Sequence, residues 1–195
     1  FFNSKFKHFK HKIFNYSLLF SVIIVAIFLL HIYVGFFNFE FKKPDSYKIG
    51  YNYNVLNHYG MQQLSRDFLQ IRNNDIATGK MSTHSSIIAD NFYDAAKINY
   101  YIAYPEKMTV NVTGSPSNIN KYLWVTDSIN MLKIGDSAYF IENSEEANNA
   151  QKIGSYFKKM EVARNIYIHR FDKPIGKYTV YRFKELKVIP RFDAN

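Results

Sequence analysis

The sequence IFNYSLLFSVIIVAIFLLHIYVGFFNF, residues 13–39, contains no Lys, Arg, Asp or Glu. As an α-helix it would extend roughly 40 Å at about 1.5 Å per residue, whereas the hydrocarbon core of a bilayer is about 30 Å thick. Tyr16 near one end and Tyr33, Phe36 and Phe37 near the other suit the aromatic belts of the two membrane interfaces. We therefore predict a transmembrane helix over residues 13–39.

The residues on either side of this run predict its orientation. Residues 1–12 contain four lysines, two histidines and no acidic residue, whereas the charges of Glu40, Lys42, Lys43 and Asp45 cancel. Positively charged flanks stay on the cytoplasmic side of a membrane. We predict a basic cytoplasmic flank over 1–12 and place everything after the span outside. Because the sequence begins with Phe and not Met, we also expect it to be a piece of a longer chain.

The composition excludes several classes of protein. The formal net charge is +9, but the basic residues of the domain are scattered singly, which argues against nucleic-acid binding. A domain with a mild positive charge beside a membrane is expected to contact anionic lipid head groups, so membrane lipid is a predicted partner. The chain has no cysteine, which excludes disulfides, thiol catalysis and cysteine-ligated zinc.

The pattern after the span predicts a small α/β domain. A polar, aromatic connector over 40–56 contains the breakers Pro44 and Gly50 and leads into a domain over 57–195. The predicted helices cover 57–74, 92–104 and 145–154, and the predicted strands cover 84–89, 108–112, 137–141, 161–169 and 177–183. Alternating strands and helices predict a layered fold with a mixed sheet of about five strands. We expect the first three strands to be parallel, and a terminal hairpin, turning at 172–176, to lie at one edge.

The helix patterns predict which faces are buried. Apolar residues recur at three- and four-residue steps in the first helix of the domain: Met61, Leu64, Phe68 and Ile71. The second helix is predicted to pack through one face: Phe92, Ala95, Ala96, Asn99 and Tyr100. The segment 118–126, which contains the only tryptophan, Trp124, fits a short helix or a strand equally.

No catalytic motif is present. The sequence lacks GxGxxG, the P-loop, HExxH and GxSxG, and no two carboxylates stand at an acid/base spacing. We predict no catalytic residue, no metal ligand and no cofactor. His84 and Asp90 stand at opposite ends of one predicted strand and so cannot readily share a metal.

Two groups of polar residues remain as candidates for ligand binding. Asp90 and Asn91 follow a strand, at the sheet edge where α/β proteins gather ligands, although capping of the next helix explains them equally well. The second group opens the first helix of the domain, close to the membrane connector, and comprises His58, Tyr59, Gln62 and Gln63. It could contact a lipid-linked ligand or could simply be a solvated helix start.

Several segments together resemble a known family. They are Tyr59-Gly60, a strand ending in Ala89-Asp90 before NFYDAAKINYYIAYP, Trp124, GDSAYFI at 135–141, SYFKKMEVARNIYIHR at 155–170, and the closing YTVYRFKEL. In order and spacing they resemble the extracytoplasmic C-terminal part of bacterial membrane glycosyltransferases of family 39. These are relatives of the dolichyl-phosphate-mannose protein mannosyltransferases and of the aminoarabinose transferases. Family members carry Tyr-Gly-Trp where this chain has Tyr59-Gly60-Met61.

The resemblance implies a catalytic function for the whole enzyme and a non-catalytic, accessory function for this chain. In those enzymes a polyprenyl-phosphate sugar is the donor, a hydroxyl group is the acceptor, and the catalytic acid belongs to an early outer loop. This chain would then be the last span and an accessory domain in the bacterial inner (cytoplasmic) membrane, on the periplasmic side. Its partners would be membrane lipid, the further transmembrane helices of the same polypeptide and a polyprenyl-phosphate sugar.

Two other hypotheses stay open. One is a single-pass membrane-anchored domain that binds a ligand or partner without catalysis. The other is a complete hydrolytic enzyme on a membrane anchor.

Overall fold

The computed structural model describes residues 2–34, 59–113, 132–143, 149–170 and 173–189. It divides the chain into two units, Phe1–Lys43 and Pro44–Asn195. The predicted connector over 40–56, the segment 118–126 and the predicted helix start at 144–148 lie outside the described residues.

The first unit contains one long helix, α1, over Phe2–Val34. Its segment Lys12–His31 is 20 residues long and apolar enough to cross a membrane, and none of that segment is buried. The predicted apolar helix is therefore present. It also extends further towards the N-terminus than we predicted, because most of the basic flank over 1–12 continues the same helix.

The second unit is built on a five-stranded mixed sheet in the order β2-β1-β3-β5-β4. The strands are β1 (Ser86–Ala89), β2 (Val110–Val112), β3 (Ala138–Asn143), β4 (Phe157–Arg170) and β5 (Lys173–Leu186). Strand β1 is parallel to β2 and to β3, whereas β5 is antiparallel to β3 and to β4. These pairings confirm the predicted α/β class, with three parallel strands and a terminal hairpin at one edge.

Among the described residues, the helices of the domain are α2 (Met61–Ala77), α3 (Phe92–Ile98), which continues as a π-helical turn over Asn99–Ala103, and α4 (Asn149–Gly154). Helix α2 begins later than predicted because Gly60 precedes it with a left-handed φ of 77°. All four residues of its predicted apolar stripe, Met61, Leu64, Phe68 and Ile71, are buried.

The predicted packing face of the second helix is wrong. Its buried residues are Ala95 and Ile98, followed by Ile102 and Ala103 in the π-helical turn. Phe92 is 43% exposed and Tyr100 is 72% exposed. The buried residues Ala95, Ile98 and Ile102 do follow three- and four-residue steps, so the helical period was right and the face was misplaced. The prediction put the aromatic residues Phe92 and Tyr100 on the packed face, where the structure has Ile98 and Ile102.

The predicted turn at 172–176 is also misplaced. Strands β4 and β5 remain paired to their ends, where Arg170 lies opposite Lys173 and His169 lies opposite Pro174. A register shift between Ile168 and His169 lies beside Pro174. In the described residues, strand β3 pairs with β5 from Tyr178 onwards. Pro174 is therefore tolerated within the strand, because a proline fits where a ladder is irregular or has no further neighbour.

The two faces of the sheet carry separate cores. Alternate residues point to opposite sides of a strand, so Ile87 and Tyr139 pack with α2, whereas Ile88 and Phe140 belong to a second cluster with Ile153 of α4. The sheet thus forms the middle layer of the domain, with helices packed on both faces.

Candidate functional site

The amide of Gln63 forms hydrogen bonds with β4, an edge strand of the sheet. Its Nε2 donates to the carbonyl oxygen of Tyr167 at 3.0 Å, and its Oε1 accepts from the backbone N–H of His169 at 3.1 Å. Strand β4 is one of the two edge strands of the sheet, and in the described part of the chain no further strand pairs with its outer backbone groups. The side chain therefore takes the place of one peptide group of a sixth strand, and it attaches α2 to the sheet.

The other residues of that predicted group have different environments. Tyr59 is half-buried against the first core cluster, and the guanidinium of Arg170 lies 5.7 Å from the centre of its ring. Gln62 is exposed, and His58 lies outside the described residues. Tyr59 and Gln63 thus have structural contacts, which leaves Gln62 facing solvent. A ligand-binding role for the four residues stays a prediction.

Asp90 and Asn91 belong to a hydrogen-bonded cluster at the carboxyl ends of the parallel strands. Asn91 Oδ1 accepts from the backbone N–H of Asp94 at 2.8 Å, which confirms that Asn91 caps α3. Asn91 Nδ2 donates to one oxygen of Asp90 at 3.0 Å, and Asn149 Nδ2 donates to the other at 2.6 Å. Lys97 in turn pairs with Asp94 at 2.6 Å. Both oxygens of Asp90 are therefore occupied by neighbouring side chains.

The protonation of Asp90 is also affected by this location. Burial raises the pKa of its carboxyl group, and the charges of Asp94 and Glu142 raise the pKa further. Because the folded-state pKa lies above the unfolded one, the contribution of this group to stability decreases as pH rises through the folded-state pKa. Two fixed amide donors and a capped helix give this cluster a structural explanation.

A buried ion pair lies in the core between α2 and the sheet. The guanidinium of Arg182 donates to both carboxylate oxygens of Asp75, at 2.6 and 2.8 Å, and the hydroxyl of Tyr139 donates to Asp75 at 3.1 Å. Asp75 and Tyr139 are completely buried. Burial, followed by the charge of Asp75, raises the pKa of Tyr139. This network was not predicted from the sequence, and its location inside the core indicates a structural role.

A cleft of about 520 Å³ opens at the other end of the parallel strands. Its described lining residues come from the segments before β1, β2 and β3: Ser82, Thr83, His84, Ser85, Ser86, Lys107, Met108, Thr109, Asn111, Leu132, Lys133, Gly135, Asp136 and Ser137. We call it the amino-end cleft. His84 lies here and Asp90 lies at the opposite edge, as expected from the strand between them. The signal that could have revealed the cleft is the polar segment that precedes each parallel strand.

Comparisons with known proteins assign no family to this chain. No family model, curated protein or solved structure matches the chain. In the part of the chain that the structure describes, no three His, Cys, Asp or Glu residues form a group that could hold a metal. The fold therefore defines the class only: an α/β domain that follows one helix apolar enough to cross a membrane.

Proposed function

We propose that this chain is the last membrane span and the outer domain of a multi-spanning glycosyltransferase. The enzyme would move a sugar from a polyprenyl-phosphate carrier to a hydroxyl acceptor. The observation that carries the proposal is the order of the parts, since the apolar segment Lys12–His31 precedes the α/β domain whose sequence segments resemble that family. In such an enzyme the catalytic carboxylate lies upstream, and this domain covers the membrane-embedded site or helps to select the acceptor.

The engagement of the buried carboxylates supports a non-catalytic role. Asp75 is neutralised by Arg182, and both oxygens of Asp90 accept hydrogen bonds from amides. A general acid or base has to reach the proton that it transfers. Neither carboxylate has that freedom in the folded domain. The alternative function, a single-pass anchored domain that binds a ligand, is favoured by the amino-end cleft.

The two functions differ in the size and activity of the native polypeptide. An antibody against the domain would be used to isolate the protein from the membranes of its source cells. We expect a polypeptide much longer than 195 residues that transfers sugar from a polyprenyl-phosphate donor. The recombinant 195-residue chain, reconstituted in lipid, is the matched control and should transfer none. A native polypeptide of this length without transferase activity would favour the anchored binding domain.

The proposed location places the span in the bacterial inner membrane and the domain in the periplasm. The four lysines before the span motivate this orientation. Single cysteines introduced as Lys10→Cys and Lys152→Cys can be tested with a membrane-impermeant maleimide, because the chain has no other cysteine and Lys152 is exposed. We expect labelling at 152 but not at 10 in intact cells, and labelling of both after permeabilisation. Labelling at 10 alone in intact cells would contradict the orientation.

A further inference from the structure

We propose that the amino-end cleft is a binding site for a phosphate ester of a small polyol. This inference concerns the domain alone and applies whether the chain belongs to a glycosyltransferase or stands as an anchored domain. Its volume of about 520 Å³ is within the range of small-molecule sites, about 300–1,000 Å³.

Two buried side chains in the cleft lack hydrogen-bond partners within the described part of the chain. Asn111 is 4% exposed and Ser86 is 7% exposed, and both line the cleft. Among the residues that the structure describes, neither the Nδ2 nor the Oδ1 of Asn111, nor the Oγ of Ser86, has a partner. A buried polar group without a partner is costly and uncommon in folded proteins. An unpaired amide facing a cleft therefore indicates a ligand that would complete its hydrogen bonds.

Strand register places these two side chains on the same face of the sheet. Asn111 of β2 lies opposite Ile88 of β1, two residues after Ser86. Residues two apart on a strand share a face, as do paired residues on neighbouring strands. The amide of Asn111 offers donors and an acceptor, and the hydroxyl of Ser86 offers both. Neighbouring hydroxyl groups, each of which donates and accepts, match this set better than a purely accepting anion does.

The rim of the cleft is exposed and positively charged, whereas the side chains of Asn111 and Ser86 are buried and neutral. Lys107 and Lys133 line it, are exposed, and have no ion-pair partner in the described part of the chain. The single carboxylate of the described lining, Asp136, accepts a hydrogen bond from the backbone N–H of Lys133 at 2.7 Å. The two lysines outnumber that carboxylate and leave the rim positively charged. Ammonium groups together with serine and threonine hydroxyls are suitable donors for phosphate oxygens.

Together these features specify the chemistry of the ligand. A phosphate group would contact the lysines at the rim, and the attached hydroxyl groups would reach Asn111 and Ser86. Such an ester can come from a soluble metabolite or from a phospholipid head group such as phosphatidylglycerol. Both sources share this chemistry, and binding measured in different lipids distinguishes them.

The test uses the full chain in phosphatidylcholine nanodiscs, titrated calorimetrically with glycerol 3-phosphate, inorganic phosphate and glycerol. We expect glycerol 3-phosphate to bind more tightly than either of its parts. Asn111→Leu should weaken that binding by about tenfold or more, because a good hydrogen bond from a buried group is lost. With Lys107→Gln and Lys133→Gln combined, the chain should bind glycerol 3-phosphate no more tightly than glycerol. Lys152→Gln, an exposed lysine outside the cleft, is the matched control and should change nothing.

A second measurement separates loss of binding from loss of folding. Asn111→Leu removes an unpaired buried amide, so the melting temperature of the ligand-free chain should be retained or raised. If that variant does not fold, Ser86→Ala is used in its place, with the same expected loss of binding. Absence of binding by wild type at millimolar glycerol 3-phosphate, or binding unaffected by the cleft variants, would overturn the proposal.

The lipid arm replaces part of the phosphatidylcholine by phosphatidylglycerol or, as a charge-matched control, by phosphatidylserine. Competition by phosphatidylglycerol alone would support the site and assign a lipid head group as its ligand. Unchanged binding in both lipids would support the site with a soluble ligand. Equal competition by both anionic lipids would overturn recognition of the polyol.

Discussion

Replacing Asp75 by Ala is expected to lower the free energy of unfolding by about 3–5 kcal/mol, because it leaves a buried guanidinium without its partner. Asp75 is completely buried and Arg182 is 8% exposed. The carboxylate also accepts from the hydroxyl of Tyr139, so the substitution leaves two buried donors unsatisfied. Urea denaturation of the full chain in detergent, followed by circular dichroism, measures the loss.

Two further variants show whether the loss comes from the ion pair. Asp75→Leu combined with Arg182→Met and Tyr139→Phe should restore much of the stability, because apolar residues of similar size often replace a buried pair without loss and the third change removes the hydroxyl that would otherwise be unpaired. Lys158→Ala is the matched control, since the 2.8 Å pair of Lys158 with Glu185 is exposed on both sides and should matter little. A loss for Asp75→Ala no larger than that for Lys158→Ala would contradict the assigned role of the buried pair.

The position of Asp75 illustrates the limit of prediction from sequence here. The residue stands near the end of a predicted helix, where a polar residue normally faces solvent. Its partner Arg182 is 107 residues away, in the last strand. Local periodicity predicts which faces are apolar, but it carries no information on which two charged residues meet across the core. The pair was therefore not predicted.

The parallel strands were predictable because their residues are locally distinctive. The short run Ser86–Ala89 is buried throughout, as expected for a strand with neighbours on both sides and helices on both faces. Two other predictions failed for different reasons. The packed face of α3 was assigned to the aromatic residues Phe92 and Tyr100, which are exposed, because hydrophobicity alone does not decide between two adjacent faces of a short helix. Pro174 and Gly176 mark an irregular part of β5 and not the hairpin turn.

In the candidate sites, too, features set by local sequence were predictable and features set by distant contacts were not. Capping of α3 by Asn91 followed from local sequence, because a cap bonds to residues close by in the chain. The hydrogen bonds of Gln63 to β4 could not be predicted in this way, because they join residues more than a hundred positions apart. The amino-end cleft depends on three strands starting side by side, which becomes visible only when their order and direction are known.

Replacing Gly60 by Ala is expected to lower the free energy of unfolding by about 2–5 kcal/mol, from backbone strain and overpacking together. Gly60 has a φ of 77°, and a Cβ atom added there would overlap the side chain of Ile168 on β4. Gly79→Ala is the matched control, because Gly79 has a φ of 66° but no atom within 4 Å of an added Cβ. Gly79→Ala should lower the free energy of unfolding by the backbone strain alone, about 1–2 kcal/mol. Urea denaturation of both variants in detergent gives the comparison.

The same pair of variants tests what the Tyr59-Gly60 motif does in this chain. The contact between the start of α2 and β4 gives the glycine a packing role, next to the hydrogen bonds of Gln63 to the same strand. Shortening Ile168 to Ala makes space for the new Cβ, so Ile168→Ala should cost less stability in the Gly60→Ala background than in wild type. Equal losses for Gly60→Ala and Gly79→Ala, with no such coupling, would mean that only the left-handed backbone requires glycine at position 60. The packing explanation of the motif would then be wrong.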